Sequence, residues 1–290
     1  MRKSGHDGQT VGQTIAEQLR RGAARLSGAG IDNPRLESRL LLAHALGMTS
    51  EDLIRDLAAT AHPSVVDDLI ARRAAREPLA FILGWREFWS LRFRVSSATL
   101  IPRPESETVV ETALALCPER EAPVRVLDLG TGTGCLLLTF LHERPNAFGV
   151  GIDRSFDATR LARWNADDLG LAGRSAFLCG DWTGALRGRF DLILSNPPYI
   201  ATADLSALMP EVASHEPRTA LDGGCCGLTA YRAIIGGLRR LLAPAGVAVL
   251  ELGAGQFGAV AAIGGEAGFR IESRSDLAGN LRAIILNLPP

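Results

Sequence analysis

Asn196-Pro197-Pro198-Tyr199 directly follows the apolar run Phe190 to Ser195, and its residue types suit one particular chemistry. Two successive prolines stiffen the chain after the asparagine, and Pro197 offers a carbonyl but no N–H. The Asn196 side-chain oxygen and the Pro197 carbonyl can then accept both hydrogens of one planar –NH₂ group. Tyr199 provides a flat face for that group to stack on. An amide or aryl-amine nitrogen is a weak nucleophile because its lone pair is delocalised into the neighbouring π system. Two acceptors gripping its hydrogens favour pyramidalisation, free the lone pair for in-line attack, and stabilise the positive charge that develops on nitrogen. No strong general base is required, since the product ammonium is acidic and loses its proton late. The bland alternative is a rigid proline turn that binds nothing. Its place at the end of a strand run, downstream of a glycine-rich loop, argues for a ligand.

That loop is Asp128-Leu-Gly-Thr-Gly-Thr-Gly134, after one apolar run and before another. Gly130, Gly132 and Gly134 let the backbone turn sharply and approach a ligand, with Thr131 and Thr133 between them. The helix that follows presents free N–H groups to an anion, either a dinucleotide pyrophosphate or the carboxylate of S-adenosylmethionine. The spacing is GxGxG rather than GxGxxG, which favours the methyl donor. Asp153 ends the next strand run about 20 residues on, where an acidic side chain accepts hydrogen bonds from ribose hydroxyls. Asp181 and Trp182 end a third run at the same edge. Trp182 can pack on an adenine face and Asp181 can accept from its exocyclic amine, although a tryptophan there is also ordinary core. Asp128 is a candidate partner for the methionine amino group.

Elements must hold these residues together. The first third of the chain reads as helices. Thr14 to Ala29 puts Ile15, Leu19, Ala23 and Leu26 on one face before Gly28 and Gly30 break it. Asn33-Pro34 opens a second helix with Leu36, Leu40, Ala43 and Leu46 facing inward until Gly47. Thr49 or Ser50 caps a short third helix, and Pro63 opens a fourth that runs to Arg76. From Phe81 to Val95 the aromatic and aliphatic residues predict a β-hairpin turning at Ser90. Strand runs then follow at 124–129, 148–152, 176–179, 190–195, 247–252, 270–274 and 281–288, with a helix at 135–143. Interspersed helices imply an α/β sheet covered on both faces. The last two runs are joined around Ala278-Gly279-Asn280, too short for a helical crossover, so they should pair antiparallel. The expected fold class is a Rossmann-like, seven-stranded class I methyltransferase sheet with a small N-terminal helical bundle and a linking β-hairpin.

With 290 residues, 47% hydrophobic and 22% charged, the chain has room for a large domain and a small one. A net charge of −1 disfavours a partner bound through its phosphates. The five cysteines (117, 135, 179, 225 and 226) fall in no metal-ligand spacing, so no metal is expected. Met1 to Val11 is polar and lacks the apolar core of a signal peptide, and no run is long enough to span a bilayer. A cytoplasmic monomer, with no membrane and no direct nucleic-acid partner, is the expectation.

Taken together, the motifs resemble the HemK/PrmC family of protein-(glutamine-N5) methyltransferases, which modify the Gly-Gly-Gln loop of peptide chain release factors. The segments are Pro78-Leu-Ala-Phe-Ile-Leu-Gly84, Leu100-Ile-Pro-Arg-Pro-Glu-Ser-Glu107, the Asp128 to Gly134 loop, Ser195-Asn-Pro-Pro-Tyr-Ile200, Glu216-Pro-Arg-Thr-Ala-Leu221 and Glu251-Leu-Gly-Ala-Gly-Gln256. The resemblance implies three parts: a bundle over 1–80 that recognises the release factor, a hairpin linker over 81–99, and a catalytic domain over 100–290. It implies S-adenosylmethionine as donor, leaving S-adenosylhomocysteine, with donor contacts at Gly130 to Gly134, Asp153, Trp182 and Asn196. It implies glutamine binding at Asn196, Pro197, Pro198 and Tyr199. Arg103 and Glu105 would shape the acceptor pocket, or else form a structural ion pair. Ala80-Phe81, Ser106 and Cys225-Cys226 depart from the family's usual residues. The rival readings are a ribosomal-protein glutamine methyltransferase, an adenine-N6 nucleic-acid methyltransferase, and a binding module that holds the donor without turnover.

Overall fold

The computed structural model describes residues 13–62, 64–184 and 186–289; the polar stretch Met1 to Val11 and Pro63, the expected opener of the fourth helix, lie outside them. The chain divides into two compact units between Leu83 and Gly84.

In the first unit a short strand β1 (Gln13–Thr14) leads into α1 (Ile15–Gly28). Thr14 and Glu17 cap that helix reciprocally, each side chain accepting from the other's backbone N–H. α2 (Pro34–Leu46) ends at Gly47 in the left-handed region, and α3 (Ser50–Arg55) is capped by Thr49. β2 (Thr60–Ala61) pairs with β1, and α4 (Ser64–Ala74) and α5 (Leu79–Leu83) complete the unit. Its core is Ile15, Leu26, Leu41, Leu42, Leu53, Ile70 and Ile82.

Two expectations are corrected here. The buried face of α2 is Ser38, Leu41, Leu42 and Ala43, while Leu36 is exposed. The α1–α2 crossing is the cause. A Cβ on Gly22 would lie 2.4 Å from the Ser38 hydroxyl, and that hydroxyl donates to the Leu19 carbonyl at 3.1 Å. A small polar residue thus sits at the centre of the packed face, where hydrophobic periodicity does not look. Phe81 lies in α5 and not in the hairpin. The Phe81 and Ile82 N–H groups both donate to the Pro78 carbonyl, closing a helical turn that an apolar run fits as readily as a strand.

The second unit opens with β3 (Trp85–Phe88) and β4 (Leu91–Arg94). Trp89 and Ser90 form the turn with φ of 53° and 57°, the left-handed pair that matches the twist of a two-residue hairpin. Phe88 and Phe93 meet edge to face and enter the core beside Val109, Val110 and Phe140. Then come α6 (Glu107–Leu116), β5 (Arg125–Leu129), α7 (Cys135–Glu143), β6 (Phe148–Asp153), α8 (Phe156–Asp168), β7 (Ser175–Cys179), β8 (Phe190–Ser195), α9 (Pro210–His215), α10 (Thr229–Leu241), β9 (Leu242–Glu251), α11 (Phe257–Glu266), β10 (Arg270–Ser275) and β11 (Leu281–Asn287).

The seven strands form one sheet in the order β10-β11-β9-β8-β5-β6-β7. β5 to β9 run parallel, while β11 lies antiparallel to both β9 and β10. Leu127, Leu192, Ile193, Leu194, Ala248, Val249 and Leu250 are wholly buried, as parallel strands covered on both faces require. Residues of α6, α7 and α8 cover one face and residues of α10 and α11 the other. The chain runs from β5 out to β6 and β7, then returns to place β8 on the other side of β5. That reversal opens a crevice beyond the carboxyl ends of β5 and β8, the usual ligand position in such sheets. Among the described residues, no helix is long and apolar enough to cross a membrane.

Candidate active site

A cavity of about 570 Å³ occupies that crevice. Gly130 to Thr133 form part of its wall, with Asp153, Asp181 and Trp182 from the ends of the neighbouring strands and Asn196 and Pro198 from the end of β8. Gly130 to Thr133, Asp153, Asp181, Trp182, Asn196 and Pro198 thus meet in one space although they span about 70 positions of sequence, while Asp128 and Gly134 stand outside its wall.

The loop after β5 is held from several sides. The Gly130 and Thr131 N–H groups both donate to the Ile152 carbonyl at 2.9 Å. Gly132 N–H donates to Asp153 Oδ2 at 3.0 Å, and Ser155 N–H to Asp153 Oδ1 at 2.9 Å. Each Asp153 oxygen keeps a further lone pair for a hydroxyl. Burial raises the Asp153 carboxyl above the usual range, against the pull of those two N–H groups. Gly130 has φ of 73°, and a Cβ built there would stand 3.2 Å from the Trp182 ring. Glycine lets that ring close over the loop, and Trp182 itself sits at φ 43°. Asn165, wholly buried in α8, donates to the Thr133 carbonyl at 2.8 Å and accepts from Arg94 N–H at 2.7 Å, tying the loop to the hairpin.

Asp128 is 1% exposed and accepts from the Thr131 hydroxyl at 2.6 Å through one oxygen. Its other oxygen, buried, makes no well-formed hydrogen bond among the described residues, although the Leu137 N–H at the start of α7 lies near enough to pull against the effect of burial. An orphaned acceptor in this position fits an ammonium donor, as the amino group of S-adenosylmethionine is, and the glycine cradle fits the donor's approach. Burial pushes the Asp128 carboxyl up to about 7. Because that value lies above the ordinary aspartate one, the folded protein holds a proton between about pH 4 and 7 that the unfolded chain has released. Stability from this group is thus present at low pH and lost as pH rises through that window. Asp128→Asn should raise the unfolding free energy at pH 8 by up to about 4 kcal/mol, from about 1.4 kcal/mol per pH unit across the window. The gain should vanish below about pH 4, and donor affinity should fall. Urea unfolding at pH 5 and 8 without donor checks this; an unaltered midpoint at pH 8 would contradict it.

At the acceptor end, Asn196 Nδ2 donates to Ser106 Oγ at 3.0 Å, and Ser106 Oγ donates to Glu251 Oε2 at 2.5 Å. Tyr199 is turned toward the same carboxylate, its hydroxyl donating to Glu251 Oε1 at 3.3 Å. Neither Tyr199 nor Pro197 lines the cavity, and the Tyr199 carbonyl accepts from Gln256 Nε2 at 2.8 Å. The Pro197 carbonyl accepts no hydrogen bond among the described residues. Glu251 is 1% exposed, and burial pushes its carboxyl up to about 7. Arg103 lines the cavity and pairs at 2.5 Å with Glu216, whose second oxygen accepts from Ile101 N–H at 3.0 Å. Glu105 is exposed and lies outside the cavity wall. Cys135 lines the wall, but burial pushes its thiol up to about 12 and leaves it protonated, so it is no nucleophile.

Ser106, Glu216, Glu251 and Asn165 are the residues that reading the sequence for chemistry did not single out. A signal existed for one of them: Glu251 is a carboxylate closing the buried run Val247 to Leu250, and a buried charge needs partners.

Two family models match the chain, one described as the PrmC N-terminal domain over residues 17–84 and one as a methyltransferase domain over residues 121–257. A release factor glutamine methyltransferase of Bradyrhizobium diazoefficiens is 46% identical over 288 residues, covering 97% of each chain. The enzyme of the same name from Rhodospirillum rubrum is 45% identical, covering 93% of this chain and 84% of that one. Among solved structures, the hMettl16 catalytic domain in complex with a 3′UTR hairpin superposes with a TM-score of 0.58 at 16% identity, covering 77% of this chain and 83% of that one. At that identity the likeness is one of fold.

Proposed function

This chain belongs to the release factor glutamine methyltransferase family, and on that premise we propose how it works. It transfers a methyl group from S-adenosylmethionine to the side-chain amide nitrogen, N5, of the glutamine in the Gly-Gly-Gln motif of peptide chain release factors. The observation that carries this is the placement of Asn196 in the same cavity as the glycine loop and Asp153. When bound, the donor supplies an electrophilic methyl carbon on its sulfonium.

The chain's own residues do the rest. Gly130 to Gly134, Asp153, Asp181 and Trp182 hold the donor, with Asp128 on its amino group. Asn196 presents its side-chain oxygen, and Pro197 its unbonded carbonyl, to the two hydrogens of the glutamine amide. Gripped by both, the nitrogen loses conjugation with its carbonyl, and its lone pair turns toward the methyl carbon. The same oxygens then face the positive charge forming on nitrogen, which lowers the barrier where it matters. Pro198 lines the pocket beside Asn196, while Tyr199 stands behind its wall and donates to Glu251.

The helical unit is the part that recognises the body of the release factor, and its matched PrmC N-terminal domain supports that role. A net charge of −1 supports a protein acceptor over a nucleic acid. The test offers the purified chain labelled S-adenosylmethionine and three acceptors: a release factor, a ribosomal protein fraction, and unmethylated DNA. Label on the release factor alone is the expected result. Label on either other acceptor keeps the donor site and overturns the substrate.

A further inference from the structure

Resting on the proposed amide methylation, we infer that Ser106 and Glu251 are positioning residues that set which end of the Asn196 amide faces the acceptor. An asparagine side chain fits its space in two orientations, and only one presents an oxygen to the substrate –NH₂. The hydrogen-bonded chain Asn196, Ser106, Glu251 decides between them. Ser106 has one hydroxyl proton, and it points at Glu251 Oε2 at 2.5 Å. Burial pushes the Glu251 carboxyl up to about 7, so above that pH it is ionised; it then only accepts, and the Ser106 proton is committed. The oxygen of Ser106 is then left as an acceptor, and Asn196 Nδ2 donates to it at 3.0 Å. Were the amide reversed, its oxygen would face the Ser106 oxygen with no proton between them. Burial sharpens the choice: Ser106 is 2% exposed and Glu251 1%, so solvent does not compete for the bond between them. Glu251 also takes the Tyr199 hydroxyl at 3.3 Å, so one carboxylate anchors both ends of the tetrapeptide. The relay crosses long sequence distances, from the turn before α6 to the ends of β8 and β9, and all three residues belong to the second unit.

The test is a double-mutant cycle on the full chain, with kcat, the KM for release factor, and equilibrium affinity for S-adenosylhomocysteine measured on each variant. Ser106→Ala should lower kcat by about 10- to 100-fold, since the amide is then free to turn. Affinity for S-adenosylhomocysteine and the KM should stay within about threefold, which also shows the variant is folded. Ser106→Thr, which keeps the hydroxyl proton, should recover most of the rate. Glu251→Ala removes the acceptor that commits the Ser106 proton, and should lower kcat as Ser106→Ala does. Adding Ser106→Ala to Asn196→Ala should cost nothing further, because the residue being oriented is gone. A wild-type kcat in Ser106→Ala, or losses that simply add in the double variant, would overturn the inference. Failure of the proposed substrate is a separate outcome. If the wild type methylates another –NH₂ acceptor, the cycle is run on that acceptor and must show the same pattern, since Ser106 acts on Asn196 whatever is bound. A wild type that turns over no acceptor overturns both.

Discussion

Asn196→Ala should slow methyl transfer by about a hundred- to a thousandfold while the protein still binds its donor. The expected size comes from the role. One preorganised group aimed at developing charge contributes about 2.7–4 kcal/mol to a transition state in enzymes where such a group has been removed. Here Asn196 Oδ1 faces the charge forming on nitrogen, and the Pro197 carbonyl alone cannot grip both hydrogens. The glycine loop and Asp153 make none of their hydrogen bonds to Asn196, so the donor cradle should survive. Single-turnover transfer from labelled donor, set beside the affinity for S-adenosylhomocysteine, separates the two effects. Loss of donor binding equal to the loss of rate would make Asn196 a donor ligand and not an acceptor ligand.

Asp153→Ala should do the opposite. Its two oxygens accept from Gly132 and Ser155 N–H at 3.0 and 2.9 Å, so its removal unties the loop and deprives the ribose hydroxyls of their acceptor. A lost bond to a charged group costs about 1.5–3 kcal/mol, so the dissociation constant for S-adenosylhomocysteine should rise roughly ten- to a hundredfold. With saturating donor, much of the rate should return, because the acceptor end is intact. Titration calorimetry on the variant measures the first effect, and turnover at raised donor concentration the second. An affinity within threefold of wild type would remove Asp153 from the donor site.

These two residues were legible in the sequence for a physical reason. Each sits at the end of a buried parallel strand, and such strands announce themselves as largely apolar runs; Phe190 to Ser195 coincides with β8, and the run 148–152 stops one residue short of the end of β6. The reversed β11 followed from a linker too short for a helix. Side-chain partners across the sheet were less accessible. Arg103 and Glu105 were expected either to shape the acceptor pocket or to form an ion pair; Arg103 lines the cavity but pairs with Glu216, brought in from beyond β8, while Glu105 stays exposed. Local spacing cannot reveal a bond between segments more than a hundred residues apart. The Ser106 to Glu251 bond escaped for the same reason, and Tyr199 turned to Glu251 because a buried carboxylate recruits donors from any element within reach. In the helical unit, Ser38 shows the converse: a close helix crossing buried a hydroxyl and left Leu36, on the expected apolar face, exposed.

The most direct measurement is mass-spectrometric mapping of the methyl group on a release factor treated with this chain and S-adenosylmethionine, beside a release factor carrying Gln→Ala in its Gly-Gly-Gln loop. One methyl group on the amide nitrogen of that glutamine, and none on the altered protein, is the expected result. Methylation that persists on the altered protein, or sits on a carboxylate, a lysine or the main chain, would contradict an amide gripped at Asn196.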